Sequence, residues 1–589
     1  MKKSKWLALA GVSLLSVGVL VACSSKSNTS SNTYNYVYTA DPETLDYLIS
    51  NKGSTTDAVT NGVDGLLEND KYGNLVPSIA KDWTVSADGL TYTYKLRKGV
   101  KWYTSDGEEY AEVTAKDFVT GLKHAADKKT ESIYLAKDSV VGLADYFNGT
   151  DKDFSKVGVK ALDDYTLQYT LKQPEPYWNS KMTYSLFWPV NEEFLKSKGD
   201  SFGKSTDPSS ILYNGPYILK SLTAKSSIEL AKNENYWDKK NVHFDGIKLS
   251  FYDASDQESL VRNFTDGAYS QARLYPTSSN FNSVEKQYKD NIFYTQPSAD
   301  IGGVGVNIDR QSYNHTSKKT DAEKDSTKKA LLNKDFRQSV NFAIDRTAYS
   351  AQLNGEKGAA LAIRNLLVKP DFVYAGDKSF GDLVTEKMPS YGDEWSGVNL
   401  KDSQDGLFNA DKAKTEFNKA KEALQAQGVQ FPIHLDLPVD QAAKPTVARA
   451  QSLKQSVEKT LGKENVVVDV HQMSQDDLLN STLYAANAAA EDWDINISVA
   501  WAPDYEDPST FLDIFKTTAS ENTKTYMGFD DPNNAAAAQV GLKDFDALVD
   551  NAAKETSDLN VRYERYAEAQ AWLEDSSLFM PLMVNKGAA

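Results

Sequence analysis

The stretch Ile433–Val470, IHLDLPVDQAAKPTVARAQSLKQSVEKTLGKENVVVDV, decides the fold class. Ile433, Leu435 and Leu437 alternate with other residues, the pattern of a strand with one buried face. From Val447 the spacing changes: Val447, Ala450, Leu453, Val457 and Leu461 share one face of a helix, and Gly462 stops it. Val466-Val467-Val468-Asp469-Val470 is a β-branched run suited to a buried strand. Upstream, Asn409 can cap a helix with the stripe Ala413, Phe417, Ala420 and Leu424, ended by Gly428. Downstream, Ile495, Ile497 and Val499 alternate again. Strand, helix, strand, helix, strand is the order of an open α/β sheet. Such sheets bind ligands beyond the carboxyl ends of their strands, so Trp501-Ala502-Pro503-Asp504-Tyr505-Glu506-Asp507-Pro508 is the first place to look for a site.

Working outward, Tyr34–Thr39 reads as a strand that stops at Asp41-Pro42. Residues 82–104 alternate across an Asp88-Gly89 turn and read as a hairpin. Thr114 caps a helix carrying Phe118, Val119, Leu122, Ala125 and Ala126. A β-rich region follows Asn214-Gly215-Pro216, covering 217–222, 227–231 and 246–252. Residues 310–330 are almost free of apolar side chains and read as a surface excursion, after which 331–353 resumes a helical pattern. The length of 589 residues allows about three or four domains.

Composition excludes several function classes. Asp and Glu number 82 against 65 Lys and Arg, a net charge of -17, which is the wrong sign for nucleic-acid recognition. With one cysteine, five histidines, no C-x-x-C pair and no H-E-x-x-H helix, neither an internal disulfide nor a metal site is expected. Gly302-Gly303-Val304-Gly305 lacks the third glycine and following helix of a dinucleotide loop, so no cofactor is expected. There is no Gly-x-Ser-x-Gly elbow, and the histidines are far apart in sequence, so the chain does not read as an enzyme.

Lys2, Lys3 and Lys5 precede a charge-free run from Trp6 to Ala22, which is an export signal at the short end of what spans a bilayer. It closes in Leu20-Val21-Ala22-Cys23 and a Ser/Asn/Thr-rich tether. The tetrapeptide resembles a bacterial lipobox, which implies lipidation of Cys23 and an acyl anchor on the outer face of a Gram-positive cell membrane.

Several colinear segments carry a wider resemblance. They are Asn74-Leu75-Val76-Pro77-Ser78-Ile79-Ala80 with Trp83, Asp88 to Arg97, Thr114 to Phe118, and Asn214-Gly215-Pro216-Tyr217. Asn233-Glu234-Asn235-Tyr236-Trp237, Asp335 to Val340 and Trp501 to Phe511 continue it. The chain resembles the oligopeptide-binding family of extracytoplasmic solute-binding proteins, nearest to streptococcal Ami/Ali lipoproteins of the AliB type. The resemblance implies a two-lobe, type II periplasmic-binding-protein-like α/β fold with a domain inserted in lobe one. It divides the chain into a leader (1–22), tether (23–33), lobe one (34–78 and 190–305), inserted domain (79–189), lobe two (306–577) and a strand (578–589) returning to lobe one. Relatives continue beyond that strand, so a truncated C-terminus is expected.

The resemblance also implies the function: a monomer that captures oligopeptides and delivers them to ABC permease subunits. Asp504 is expected to receive the ligand's amino terminus, a charge-assisted contact, with Trp501 and Ala502 beside it. Its structural alternative is helix-entry chemistry before Pro508, a role that suits Asp507 better. Tyr38, Thr39 and Ala40 are expected at a strand edge that pairs with the peptide, and Tyr269 is a further candidate although Asp266 to Gln271 lacks the relatives' acidic pattern. A peptide sensor, an adhesin or a binder of another solute on the same fold are the alternatives.

Overall fold

A computed structural model describes residues 32–584, apart from 51, 254–255, 277 and 294–296. The leader, Cys23 and most of the expected tether lie outside the described residues. Apolar side chains segregate into two cores. One runs from Tyr38 to Leu230, and the other from Ile301 to Val584.

In the first group, strand Thr33–Tyr38 lies at the edge of a four-stranded sheet. It pairs in parallel with Gly246–Phe251, next to Ser227–Lys232 and then Tyr217–Thr223. A second four-stranded sheet is built from the hairpin Ala80–Val85 and Thr91–Leu96 with Thr166–Thr170 and Val159–Asp163. Gly89 makes the hairpin turn at φ +70, a backbone state that side chains disfavour. Lys101–Tyr103, read as part of that hairpin, instead pairs with Glu109–Glu112. The helix Ala115–Asp127 opens on a capping box of Thr114 and Asp117, and its Phe118 and Leu122 are buried in the same core as the first sheet.

The second group contains the α/β run. Asn409 caps helix Ala410–Ala426 by accepting from the amides of Asp411 and Lys412. Strands Ile433–Asp440 and Val466–Met473 pair in parallel, in register Ile433 with Val466, across helix Lys444–Leu461. The third expected strand, Ile495–Trp501, is present but joins another sheet. It is antiparallel to Ile301–Val306, which is flanked on its other side by Phe579–Met583. At the junction the Asp494 amide still donates to the Asp436 carbonyl at 3.1 Å, while the Asp436 amide donates to the Asp494 carboxylate instead of a backbone carbonyl.

Two expected boundaries are corrected by this pairing. Residues 301–305 were placed with lobe one, and 578–584 were expected to return there, yet both strands are buried in the second core because each completes the sheet of the other. Among the described residues the chain passes from the first core to the second through 253–300. The Gly302–Gly305 run lies in the middle strand of the three-stranded sheet of the second core. A Cβ on Gly303 would stand 2.4 Å from the Phe579 ring and 2.6 Å from the Met580 carbonyl. Gly303→Ala is therefore expected to destabilise the protein by about 1–3 kcal/mol, read as a lower urea midpoint with an unchanged slope.

The polar segment 310–330 is only partly a surface excursion. Helix Asp321–Leu332 starts inside it, on a capping box of Thr320 and Glu323, while Arg310 and Lys318 are buried. Three carboxylates, Asp436, Asp492 and Asp494, surround those two cations.

Candidate ligand site at the Asp504 turn

Strand Ile495–Trp501 brings the chain to the turn. Trp501 pairs with Ile301 and packs on the second core, and its indole N–H is buried with no acceptor among the described residues. The turn is then locked from beneath. Asp507 accepts from the Ser509 amide at 3.1 Å and hydroxyl at 2.6 Å, which starts helix Ser509–Leu512. Its carboxylate is also held by both arms of Arg562, at 2.7 and 2.8 Å. Asp507 thus has the helix-entry role expected of it. The Asp504 amide donates to Thr510 at 2.8 Å, leaving the Asp504 side chain free to point away from its own lobe.

That side chain meets the first group of elements. The Tyr184 hydroxyl donates to Asp504 Oδ1 at 2.9 Å, and the Tyr134 hydroxyl belongs to the electrostatic surroundings of the same carboxylate. Next to it Tyr505 stacks on Tyr177, with ring centroids 4.5 Å apart and planes 15° from parallel. The Glu506 amide donates to Ser180 at 3.1 Å. Lys181 lies 4.9 Å from the Tyr505 ring centre, and is itself buried against Glu175 at 2.8 Å. Burial pushes the Asp504 carboxyl above the usual carboxylate range, opposed by the Tyr184 hydrogen bond, by the Tyr134 hydroxyl and by the Lys181 charge. Both tyrosine hydroxyls are pushed up as well, first by burial and then by the Asp504 charge. A carboxylate has about four acceptor positions, so these donors leave capacity for an ammonium group.

The lobe-one candidates fare differently. Tyr38 is buried against Phe251 and its carbonyl accepts from Tyr252, so neither its ring nor its carbonyl is on offer. The free edge belongs to the alternate residues: Asn35 exchanges bonds with Ser270 there, and by the two-residue repeat Val37 faces the same side. Thr39 and Ala40 are exposed just past the strand. Tyr269 is half-buried with its ring edge-on to Tyr36 at 6.2 Å. Ala502 is exposed. Tyr134 and Tyr184 were missed by sequence reasoning, and no local signal could have found them, since Tyr184 and Asp504 lie 320 positions apart.

The match to known proteins agrees with this architecture. Residues 74–523 match the family described as bacterial extracellular solute-binding proteins, family 5. The chain belongs to that family. It is 70% identical to the oligopeptide-binding protein AmiA of Streptococcus pneumoniae over 592 aligned residues, covering 100% of this chain and 90% of that one. It is 54% identical to AliB of the same species, covering 99% and 89%. Kinship with the Ami/Ali group holds, and of these two AmiA is the more similar. Among solved structures, the substrate-binding domain of an oligopeptide ABC transporter from Bacillus anthracis superposes with a TM-score of 0.66 at 24% identity, covering 94% and 93% of the two chains. Listeria monocytogenes OppA bound to peptide gives 0.65 at 23%, covering 95% and 94%. These structures share the two-lobe type II fold. Family membership places the chain among extracellular solute binders rather than in an enzyme class. Among the described residues no helix is long and apolar enough to cross a membrane.

Proposed function

We propose that this protein captures oligopeptides between its two lobes and hands them to an ABC permease, as a monomer held at the outer face of the membrane by lipid on Cys23. The observation that carries the reading is the Asp504 carboxylate. It stands at the junction of the two groups of elements with acceptor capacity to spare, on a chain 70% identical to a protein named for oligopeptide binding. No bond of the ligand is made or broken. Affinity comes from main-chain pairing along the free edge at Val37 and from the ammonium contact, so many side chains are tolerated.

Isothermal titration with one peptide, free and N-acetylated, tests the anchor. Asp504→Ala is expected to weaken the free peptide by about 1.5–3 kcal/mol, the worth of a hydrogen bond to a charged group, and to leave the acetylated peptide nearly unchanged. Equal loss for both peptides would overturn the role of Asp504. Native mass spectrometry of the purified protein tests the reading as a whole: bound peptide masses are expected, and a spectrum unshifted by any peptide mixture would sink it. Cys23→Ser is expected to release the protein from the membrane fraction.

A further inference from the structure

One aromatic ring crosses from the second group of elements to the first. Among the described residues, Tyr505 is the only aromatic or aliphatic side chain from beyond Phe251 that packs on the first core. It leaves the turn between Asp504 and Asp507, where the Ser509 hydroxyl donates to its own at 3.3 Å, and lies flat on Tyr177 with ring centroids 4.5 Å apart. Beside the stacked rings, the Glu506 amide donates to the Ser180 hydroxyl at 3.1 Å. Each of these contacts is protein to protein, so the joint is indifferent to which peptide lies between the lobes.

The receiving side is rigid. Trp178, next in sequence to Tyr177, is fully buried, and the Glu175 carbonyl accepts from the Tyr92 hydroxyl at 2.7 Å. The Lys181 ammonium donates to Glu175 at 2.8 Å, to the Leu135 carbonyl at 3.1 Å and to the Ser139 hydroxyl at 3.2 Å. Held in that way it stands 5.2 Å from the Tyr177 ring centre and 4.9 Å from that of Tyr505, where a fixed cation attracts both rings. The Arg562 guanidinium, which grips Asp507, lies 5.5 Å from the Tyr177 ring centre. Stacked rings and desolvated cations gain from the exclusion of water, so the joint is strongest when the two groups meet and is lost when they part.

We propose that Tyr177 and Tyr505 form a latch between the lobes, a pair of positioning residues that sets how long a peptide is retained. The inference rests on the peptide-binding reading above. A peptide held between the lobes leaves only after they part, so breaking the latch speeds the departure of every peptide, whereas Asp504 acts on a free amino terminus alone. The test measures peptide dissociation from the immobilised full chain by surface plasmon resonance, with one peptide in free and N-acetylated form. Tyr177→Ala is expected to raise the dissociation rate of both forms by about tenfold, the strength of a stacked aromatic pair. Tyr177→Phe keeps the ring and is expected to return the rate to within about threefold of the unaltered protein. Tyr505→Ala breaks the same contact from the other lobe, is expected to give the same acceleration, and serves if Tyr177→Ala lowers the urea midpoint. The double variant is expected to release peptide no faster than the faster single one, because each ring acts through the other. Unchanged rates in both single variants, acceleration of the free peptide alone, or a double variant whose acceleration is the product of the two would overturn the latch and leave the general function standing. Absence of binding by any peptide to the unaltered protein would overturn both.

Discussion

Arg562→Met is expected to cost about 3–5 kcal/mol of stability and to abolish high-affinity binding at the Asp504 turn. The guanidinium holds Asp507 with two bonds and donates to the carbonyls of Ala553 at 3.2 Å and Glu555 at 3.0 Å. It therefore closes the carboxyl end of helix Leu542–Ala553 while it fixes the turn that carries Asp504. Removing one partner of a buried ion pair strands the other charge, which sets the magnitude. A double variant separates the two roles. Asp507→Leu with Arg562→Met removes the stranded charge and is expected to recover much of the stability, measured by urea unfolding, without restoring peptide affinity, because Ser509 and the turn remain unanchored. Recovery of binding along with stability would show that Asp507 does not position Asp504. Arg562→Lys is expected to fall between, since an ammonium cannot reproduce the forked contact.

Arg310→Leu is expected to be as damaging, and its cost should depend on pH. Arg310 bonds to Asp436 at 2.7 Å and Asp492 at 2.8 Å, and lies 3.0 Å from Asp494. Lys318 joins Asp436 at 2.7 Å and also reaches Asp494. His471 bonds to Asp436 at 2.8 Å, and His315 to Asp492 at 3.0 Å. Burial alone would push the Asp436 carboxyl up, but the His471 hydrogen bond and the Lys318 and Arg310 charges hold it well below the ordinary range. A carboxyl with a depressed folded pKa stabilises the native state above its unfolded value of about 3.9, and that stabilisation fades as the pH falls further. The loss in Arg310→Leu is therefore expected to reach about 3–5 kcal/mol at pH 7 and to shrink at pH 3, where the abandoned carboxylates take up protons. Urea melts at the two pH values read this directly. An equal loss at both would rule out the ion-pair account.

The two buried clusters show where sequence reading stops. The stripe Ala413, Phe417, Ala420 and Leu424, the alternation at Ile433 and the stop at Gly462 are local patterns, and each became the element it predicts. Arg310 and Lys318 sit in a stretch with no apolar periodicity, so their burial was invisible. What buries them is three acids more than a hundred positions away, Asp436 in strand Ile433–Asp440 and Asp492 and Asp494 just before strand Ile495–Trp501. The strand Phe579–Met583 was legible as a strand but not as to its partner, because a run of apolar residues fits either core. Tyr38 was expected at a peptide-pairing edge from the family resemblance, whereas its carbonyl points into the sheet and accepts from Tyr252.

By itself, the sequence determined the α/β class and the position of most strands and helices, and it singled out the turn from Trp501 to Pro508 as the expected ligand site. These follow from periodicity, capping and turn chemistry, which act over a few residues. Tertiary structure alone decided that Asp504 faces Tyr134 and Tyr184, that Asp507 is spent on Arg562, and that Tyr505 stacks on Tyr177 of the other lobe. A buried polar group must find its partners wherever the chain brings them, and no local pattern specifies a partner hundreds of residues distant.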